Sequence, residues 1–249
     1  MTILAIDQST SGTKALLFDQ TGTLLDQTSK PHKQHYPQPG WVEHNANEIY
    51  DNLLDAIREL LDNNPTQRDQ LQALSITNQR ETFVVFDRET GEPLYHAIVW
   101  QCRRGEALCR DLVDGGHEPQ VAQVTGLKID TYFPASKITW LLDAKPEIKA
   151  QVQSGTAVIG TIEAYLIYRL TDGQVFACDH TNACRTLLYD IHALNWSDDM
   201  CALFGVPRQA LPEIRESAAN FGETDCEGIL TRPLPIYGVM GDSQAALFA

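Results

Sequence analysis

The sequence predicts an α/β fold in which a mixed β-sheet is flanked by helices. Short apolar runs typical of strands come first in the chain, and strands mixed with amphipathic helical segments follow them. This order is typical of a mixed sheet that carries helices on both faces. The composition agrees, because 43% apolar and 21% charged residues in a chain of 249 are ordinary for a globular protein with a full core.

Three strand-like runs open the chain, over residues 3–6, 15–18 and 24–28. The connections between them contain the pairs Ser11-Gly12 and Thr21-Gly22. Strands joined by such short turns are expected to be antiparallel.

A helix is predicted after the Pro- and Gly-containing segment KPHKQHYPQPGWVEHN. Asn45, followed three residues later by Glu48, has the form of a capping box, which marks a helix start. Apolar residues then recur at helical spacing on one face: Ile49, Leu53, Ile57 and Leu60.

The remaining elements are a mixture of strands and helices. Strands are predicted over residues 71–77, 83–86, 97–100, 157–161 and 236–240. Helices are predicted over residues 106–113, 136–142, 163–170, 198–204 and 243–248. The rest of the stretch between residues 175 and 232 is predicted to be loops.

The charge balance excludes some partners. A net charge of −14, from 19 basic and 33 acidic side chains, argues against nucleic acid or an anionic membrane surface. The N-terminus lacks the pattern of a signal peptide, and no apolar run approaches the ~20 residues of a membrane-spanning helix. A cytoplasmic location is therefore expected.

The cysteines and histidines give no metal-binding pattern. Six cysteines without a Cys-x-x-Cys pair argue against zinc or a disulfide framework, so reduced thiols are expected. We interpret His32, His35 and His44 as solvated loop residues rather than metal ligands.

The first segment with possible chemistry is AIDQSTSGTKALLFD. An apolar strand ends in Asp7, and the small residues of the following turn would let backbone N–H groups approach a phosphate chain. Asp7 is placed to hold a hydrated Mg²⁺ ion, which prefers few carboxylates and several waters. A plain hairpin turn is the more common explanation of such a segment, and the Gly-Lys-Ser/Thr of a Walker loop is absent.

The second segment is ITNQRETFVVFD, in which Gln79, Arg80 and Glu81 interrupt an apolar strand pair. A guanidinium donates several hydrogen bonds and a carboxylate accepts them, so Arg80 and Glu81 together can hold the adjacent hydroxyls of a small polyol. The alternative is an exposed ion pair at a strand end, with a stabilising effect of ~0–1 kcal/mol.

Three further residues each have two interpretations. Trp100 can offer its face to the C–H side of a polyol or belong to the core. Tyr132 can reach a ligand with its hydroxyl or pack on a loop. Asp242 can cap the helix that follows it, a contribution of ~0.5–2 kcal/mol, and can also act as a general base for a substrate hydroxyl.

Taken in order, the segments GWVEH, ITNQRET, IVWQCRR and GDSQAALF resemble those of the FGGY carbohydrate kinases, and most closely those members that act on glycerol. The resemblance runs from Ile3 to Phe248. It implies a ribonuclease H-like, actin-like domain, residues 1–249 being the N-terminal, acceptor-binding half of a two-domain kinase. It also implies that the C-terminal, ATP-binding domain is absent from this chain, that the chain alone is inactive, and that the full-length protein is a homo-oligomer.

The resemblance further implies roles for individual residues, with ATP and Mg²⁺ as cofactors. Asp242 would be the catalytic base and Asp7 the residue associated with the metal. The acceptor would be bound by Arg80, Glu81, Trp100, Tyr132, Asp242 and Ser243. The ATP phosphates would be contacted by Thr10, Ser11, Gly12, Thr13 and Lys14.

The chain departs from the family pattern at five positions. Ser9 replaces Gly, Lys14 replaces Arg, Ser243 replaces Gln, Glu163 replaces Asp, and Cys184 replaces Ser. Because serine is smaller than glutamine, a larger polyol or ketose such as erythritol, ribitol or xylulose is an alternative acceptor. A non-catalytic ligand-binding or regulatory lobe is a further alternative, against which the intact acidic and basic residues argue.

Overall fold

The computed structural model describes residues 2–248. Its strands are β1 Thr2–Gln8, β2 Gly12–Asp19, β3 Leu24–Pro31, β4 Gln34–His35, β5 Glu43–His44, β6 Leu71–Asn78, β7 Phe83–Asp87, β8 Ala97–Ile98, β9 Ala157–Thr161, β10 Ala177–Asp179, β11 Tyr189–Asp190, β12 Asn195–Trp196, β13 Glu213–Arg215, β14 Asn220–Thr224 and β15 Leu234–Gly241. Its helices are α1 Ala46–Asn63, α2 Pro65–Asp69, α3 Glu106–Asp114, α4 Glu118–Thr125, α5 Pro134–Ala144, α6 Pro146–Ser154, α7 Ile162–Leu170, α8 His180–Ala183, α9 Asp198–Leu203 and α10 Asp242–Phe248.

A six-stranded mixed sheet forms the centre, in the order β14-β15-β6-β1-β2-β3. The first three strands are antiparallel, as predicted, whereas β6 runs parallel to both β1 and β15. Along β1 the side chains alternate between buried and half-buried, and helix α1 packs on β2 and β3. The four apolar residues that predicted the buried face of α1 are all fully buried.

A second sheet, in the order β4-β5-β8-β7-β9, belongs to a second apolar core. Helix α7 contributes side chains to both cores: Tyr165 belongs to the first and Ala164 to the second. Eight of its nine residues are buried, which is the pattern of a helix apolar on nearly every side.

The start of α1 confirms one half of the capping box. The Asn45 side chain accepts hydrogen bonds from the N–H groups of Asn47 at 3.0 Å and Glu48 at 3.4 Å. The Glu48 carboxylate accepts instead from the N–H of Lys33 at 3.0 Å. Glu48 therefore joins the helix to the preceding loop rather than closing the box.

The interpretation of the histidines as solvated is wrong for two of them. His44 is fully buried and His32 is 7% exposed, and their rings meet edge to face with centroids 4.6 Å apart. Burial, followed by the neighbouring His32, lowers the pKa of His44 to about 3. The two rings are thus part of the core beside the first turn of the chain, where His32 Nε2 lies 2.9 Å from the carbonyl oxygen of Thr10.

Several elements have no clear signal in the sequence. Helices α4 and α6 each bury only two residues, so their apolar stripe is too short to stand out. Strand β14 contains Gly222 at φ +100°, which interrupts the alternation of a strand. Within residues 2–248, the structure contains no helix that has both the length and the apolar character to cross a bilayer.

The parallel strands β1, β6 and β15 end together at one edge of the central sheet. Gln8 pairs with Asn78, and Asn78 pairs with Gly241. The residues that follow these strands therefore emerge side by side, at the carboxyl ends where α/β sheets place their ligands.

Candidate active site

A cavity of about 100 Å³ opens at this edge of the sheet. Its lining comes from the ends of five chain segments: Thr10, Gln79, Arg80, Glu81, Trp100, Tyr132, Asp242 and Ser243. The structure therefore brings together all the residues predicted to bind an acceptor, with one residue of the predicted phosphate turn. Larger hollows of about 390 Å³ lie near Arg103, so the chemistry of the lining, rather than its size, distinguishes this cavity.

Arg80 forms one wall of the cavity and reaches the end of β15. Its Nη2 donates to Ser243 Oγ at 2.9 Å, and its Nε lies 3.4 Å from Asp242 Oδ1. A Cβ atom at Gly241 would collide with the side-chain methylenes of Arg80. Gly241 is therefore the residue that lets Arg80 lie across the strand end.

Asp242 is the first residue of α10, and its side chain is 47% exposed. Its Oδ1 accepts from the N–H of Ser243 at 2.7 Å. This bond reaches only the next residue, whereas a capping side chain accepts from the N–H two or three residues on, so Asp242 does not cap the helix. The carboxylate does line the cavity, as the general-base interpretation requires.

Glu81 differs from its neighbour because it is buried, with 2% of its surface exposed. It has φ +61°, a left-handed conformation that is uncommon for a residue other than glycine and that recurs at functional sites. Its Oε1 accepts from Arg185 Nε at 2.6 Å. Burial raises the pKa of Glu81, whereas the hydrogen bond from Arg185 and the charges of Arg80 and Arg185 act against that increase.

Arg185 is a site residue that sequence reasoning missed. It stands 104 positions from Glu81 in the chain, and its guanidinium lies 4.9 Å from the ring of Phe133 and 5.8 Å from that of Tyr132. No local pattern marks it, because it follows a four-residue helix in a loop region. Its segment NACRT was considered only for Cys184, which replaces a serine of the family pattern.

Trp100 and Tyr132 form the aromatic wall, with ring centroids 5.4 Å apart. Trp100 Nε1 donates to Thr10 Oγ1 at 3.0 Å, which joins this wall to the turn after β1. Lys137, fully buried in α5, donates to the carbonyl oxygens of Trp100 at 3.3 Å and Tyr132 at 3.2 Å. Burial lowers the pKa of Lys137 to about 7, even though carbonyl acceptors favour the ammonium form. Sequence reasoning did not single out this lysine.

The turn between β1 and β2 has a compact backbone. Both the N–H and the Oγ of Ser9 donate to the carbonyl oxygen of Gly12, at 2.9 and 3.0 Å. A Cβ atom at Gly12 would lie 2.8 Å from the carbonyl oxygen of Lys30, so strand packing already requires this glycine. Thr13 is buried, and its hydroxyl makes no hydrogen bond to any residue in the described range, whereas Ser11 is exposed.

Asp7 pairs with Lys14 across the hairpin, with 3.1 Å between Oδ2 and Nζ. A quarter of the Asp7 side chain is exposed. Residues 2–248 contain no group of three or more acidic, His or Cys side chains arranged to hold a metal. The Asp7 carboxylate is the group that the sequence associates with Mg²⁺, an ion that keeps most of its waters.

Glu163 is fully buried at the start of α7. Its oxygens accept from Thr161 Oγ1 at 2.5 Å and from Asn78 Nδ2 at 3.2 Å. Burial raises the pKa of Glu163 to about 8.

A mixed sheet flanked by helices, with a small polar cavity at the ends of its parallel strands, defines an actin-like domain of the sugar-kinase class. The sequence profile of the FGGY family of carbohydrate kinases, N-terminal domain, matches residues 2–249. The chain belongs to this family.

Known proteins similar to the chain agree with this assignment. It is 47% identical over 248 residues to glycerol kinase 1 of Thermotoga maritima, covering 100% of this chain and 50% of that protein. It is also 47% identical over 245 residues to glycerol kinase of Alcanivorax borkumensis, covering 98% of this chain and 49% of the relative. The chain thus spans about half the length of these relatives.

Solved structures show the same fold. The crystal structure of Plasmodium falciparum glycerol kinase with ADP superposes with a TM-score of 0.91 at 39% identity, over 98% of this chain and 49% of that chain. A xylulose kinase from Brucella ovis superposes with a TM-score of 0.89 at 23% identity, over 98% of this chain and 49% of that one. The second likeness concerns the fold alone. The predicted actin-like fold is confirmed.

Proposed function

We propose that this chain is the acceptor-binding lobe of an ATP-dependent polyol kinase that phosphorylates a terminal hydroxyl of glycerol. Arg80, Glu81 and Asp242 converge on one small cavity, and this arrangement supports the function most directly. The similarity over the whole chain to proteins named glycerol kinase supports the choice of acceptor.

The cavity offers a small polyol both donors and acceptors. Arg80 donates and Glu81 accepts, so the two can bind neighbouring hydroxyls of one molecule. Trp100 and Tyr132 supply an aromatic wall for the carbon skeleton. Arg185 binds the Glu81 carboxylate, and Lys137 binds the main-chain carbonyls of Trp100 and Tyr132. The cavity is therefore organised before the acceptor enters, which lowers the entropic cost of binding.

Asp242 is assigned the role of general base. Its carboxylate lines the cavity beside Arg80, where it can accept the proton of the attacking hydroxyl as the phosphoryl group is transferred in line. The arginine and the Ser243 N–H hold the carboxylate on its Oδ1 side. Positioning of this kind is the main contribution of a protein to phosphoryl transfer.

Residues 1–249 are proposed to form the N-terminal, acceptor-binding domain, with ATP bound mainly by a C-terminal domain outside this chain. The coverage of about half of each relative supports this division. Thr10, Ser11, Gly12, Thr13 and Lys14 would border the phosphates, and Asp7 would hold Mg²⁺ through its waters. Bound Mg²⁺ offsets the negative charge that develops on the phosphate oxygens. The isolated chain is expected to give no appreciable kinase turnover.

The test is ADP release by the full-length protein that carries this chain, measured with glycerol, erythritol, ribitol, xylulose and ribulose. We expect strong turnover with glycerol alone. No turnover with any acceptor, from a folded protein, would contradict the proposal.

Ser243 favours one second candidate, a longer polyol or a ketose. Its short side chain lines the cavity and accepts from Arg80 at 2.9 Å, which leaves space that a longer side chain would fill. If this candidate is right, Ser243→Gln will weaken binding of the longer acceptor and improve that of glycerol.

A further inference from the structure

Asp179 is a fully buried carboxylate at the end of β10, and it is not part of the cavity lining. Its strand belongs to a separate two-stranded sheet with β13. Five donors surround its two oxygens: Thr181 N at 3.1 Å, Thr181 Oγ1 at 2.7 Å, Ser217 Oγ at 2.7 Å, Asn182 N at 3.0 Å and Asn182 Nδ2 at 2.8 Å. Every one of these groups donates to the carboxylate, which is the arrangement that fixes a buried acid in one orientation.

One arm of this network leads to Asp242. Thr181 Oγ1 donates to Asp179 Oδ2 and accepts from the N–H of Gly241 at 2.8 Å. Because a carboxylate only accepts, the hydroxyl proton points towards Asp179 and a lone pair faces Gly241. The Met240–Gly241 peptide unit, one residue before Asp242, is therefore held by a hydrogen bond whose direction Asp179 sets.

A second arm leads to Arg80. Asn182 Nδ2 donates to both Asp179 Oδ1 and Asn78 Oδ1, the latter at 3.0 Å. Asn78 Nδ2 in turn donates to the carbonyl oxygen of Gln79 at 2.8 Å, one residue before Arg80. Asp179 thus connects the ends of β15 and β6, the two strands whose next residues line the cavity.

We propose that Asp179 is a positioning residue that acts through Thr181 on the general base Asp242 and through Asn182 on Arg80. The inference rests on the proposed function, because it needs Asp242 to accept the proton. In this arrangement the Thr181 arm serves the chemical step, and the Asn182 arm serves acceptor binding.

The test uses three variants of the full-length protein that carries this chain. Thr181→Val keeps the shape of the side chain and removes the hydroxyl, whereas Thr181→Ser keeps the hydroxyl. Ser217→Ala is the matched control, because it removes another donor to the same Asp179 oxygen without touching the bond to Gly241. Substituting Asp179 itself would leave several buried donors unpaired and risks unfolding.

We expect Thr181→Val to lower kcat for glycerol by about 10- to 100-fold, since displacement of a catalytic group by about 1 Å costs up to about 10²-fold. The glycerol KM should stay close to its wild-type value, because the arm to Arg80 is intact. Thr181→Ser should restore kcat, and Ser217→Ala should retain most of it, because the other four donors still hold Asp179. Wild-type kcat in Thr181→Val, or an equal loss in Ser217→Ala, would overturn the inference.

We call the hydrogen bonds that run from Asp179 through Thr181 to Gly241 the relay. A second measurement separates failure of the relay from failure of the proposed function. If the wild-type protein shows no turnover with glycerol, the proposed function fails. The relay is then judged by hydrogen exchange of the Gly241 amide. Protection that is lost in Thr181→Val and kept in Thr181→Ser supports the relay, and equal protection in all three proteins contradicts it.

Discussion

Arg80 and Glu81 are neighbours in the sequence, but they are held in different ways. Arg80 contacts Asp242 and Ser243, whereas Glu81 turns into the interior and pairs with Arg185. The left-handed backbone at Glu81 is what separates the two directions. Because Glu81 is buried and pairs with Arg185, the two residues do not form an exposed ion pair with each other.

The close packing of Arg80 over Gly241 gives the first prediction. We expect Gly241→Ala to lower the free energy of unfolding by about 1–3 kcal/mol, because the added methyl group must displace the arginine stem. It should also weaken glycerol binding, since Arg80 moves with its stem. Urea unfolding and calorimetric titration of the variant measure the two effects.

The control for this prediction is a double-mutant cycle. In an Arg80→Ala background the methyl group has space, so Gly241→Ala should cost little there. An equal cost in both backgrounds would show that the glycine is needed for another reason.

The residues that sequence reasoning found share a local signal. Arg80, Trp100 and Asp242 each interrupt or end an apolar strand, so a polar or aromatic residue stands out from its neighbours. Arg185 and Lys137 reach the site from distant segments, and neither interrupts or ends an apolar strand. Their roles follow from tertiary contacts, which a single sequence does not reveal.

At the scale of elements, helix α5 holds the aromatic wall. Lys137 donates to the main-chain carbonyls of Val99, Trp100 and Tyr132 and so links α5 to two pocket segments. We predict that Lys137→Met will weaken glycerol binding, because the main-chain segments that carry the rings of Trp100 and Tyr132 lose their hydrogen bonds to α5. Lys149→Met is the matched control: this lysine is 41% exposed on α6 and pairs with Asp143. Calorimetric titration of both variants should show weaker binding only for Lys137→Met, and equal effects would contradict this role.

Helix α7 places Glu163 in the core, which makes the stability of the protein depend on pH. Because the pKa of Glu163 in the folded protein is about 8 instead of 4.5, the native state keeps a proton that the unfolded state loses between these values. The contribution of this group to stability is therefore fully present below pH 4.5 and is lost as the pH rises through 8.

Glu163→Gln tests this dependence, since the amide does not titrate. We expect the wild type to lose stability relative to the variant as the pH rises from 5 to 8. The relative free energy of unfolding should change by at most about 1.4 kcal/mol per pH unit. Urea unfolding at several pH values measures it. Parallel pH profiles of the two proteins would contradict the raised pKa.

The prediction of elements succeeded where the pattern was local. The alternating strand β1 and the long amphipathic helix α1 have clear periods of two and 3.6 residues. The two-residue strands such as β4 and β11 are defined by their partners rather than by their own residues. The predicted strand over residues 97–100 is shorter in the structure, because the chain turns at Val99, whose carbonyl accepts from the N–H of Cys102 at 2.9 Å.

At the scale of the whole molecule, the site lies where two apolar cores meet. Strand β6 and helix α1 belong to the first core, and the aromatic wall with Phe133 packs on the second. Buried polar groups such as Asn78 and Asn182 bridge the region between them. Apolar strands and helices of both cores were predicted, but the division into two cores was not, because it depends on pairings between distant strands.

The net charge of −14 also bears on function at this scale. A strongly acidic protein repels an anionic nucleotide at long range, so the proposed binding of ATP needs local groups that supply the attraction. Lys14 and the backbone N–H groups of the β1–β2 turn are the groups that this chain can offer, and the rest is assigned to the proposed C-terminal domain.

In the proposed reaction, Asp242 takes the proton of an acceptor held by Arg80 and Glu81. The most direct measurement compares wild type and Asp242→Asn of the full-length protein, with ADP release and glycerol binding measured on the same samples. The amide keeps the size of the side chain but cannot accept the proton, so we predict a loss of turnover of about 10²–10⁴-fold with glycerol binding largely retained. Turnover close to that of the wild type in Asp242→Asn would show that Asp242 is not the general base.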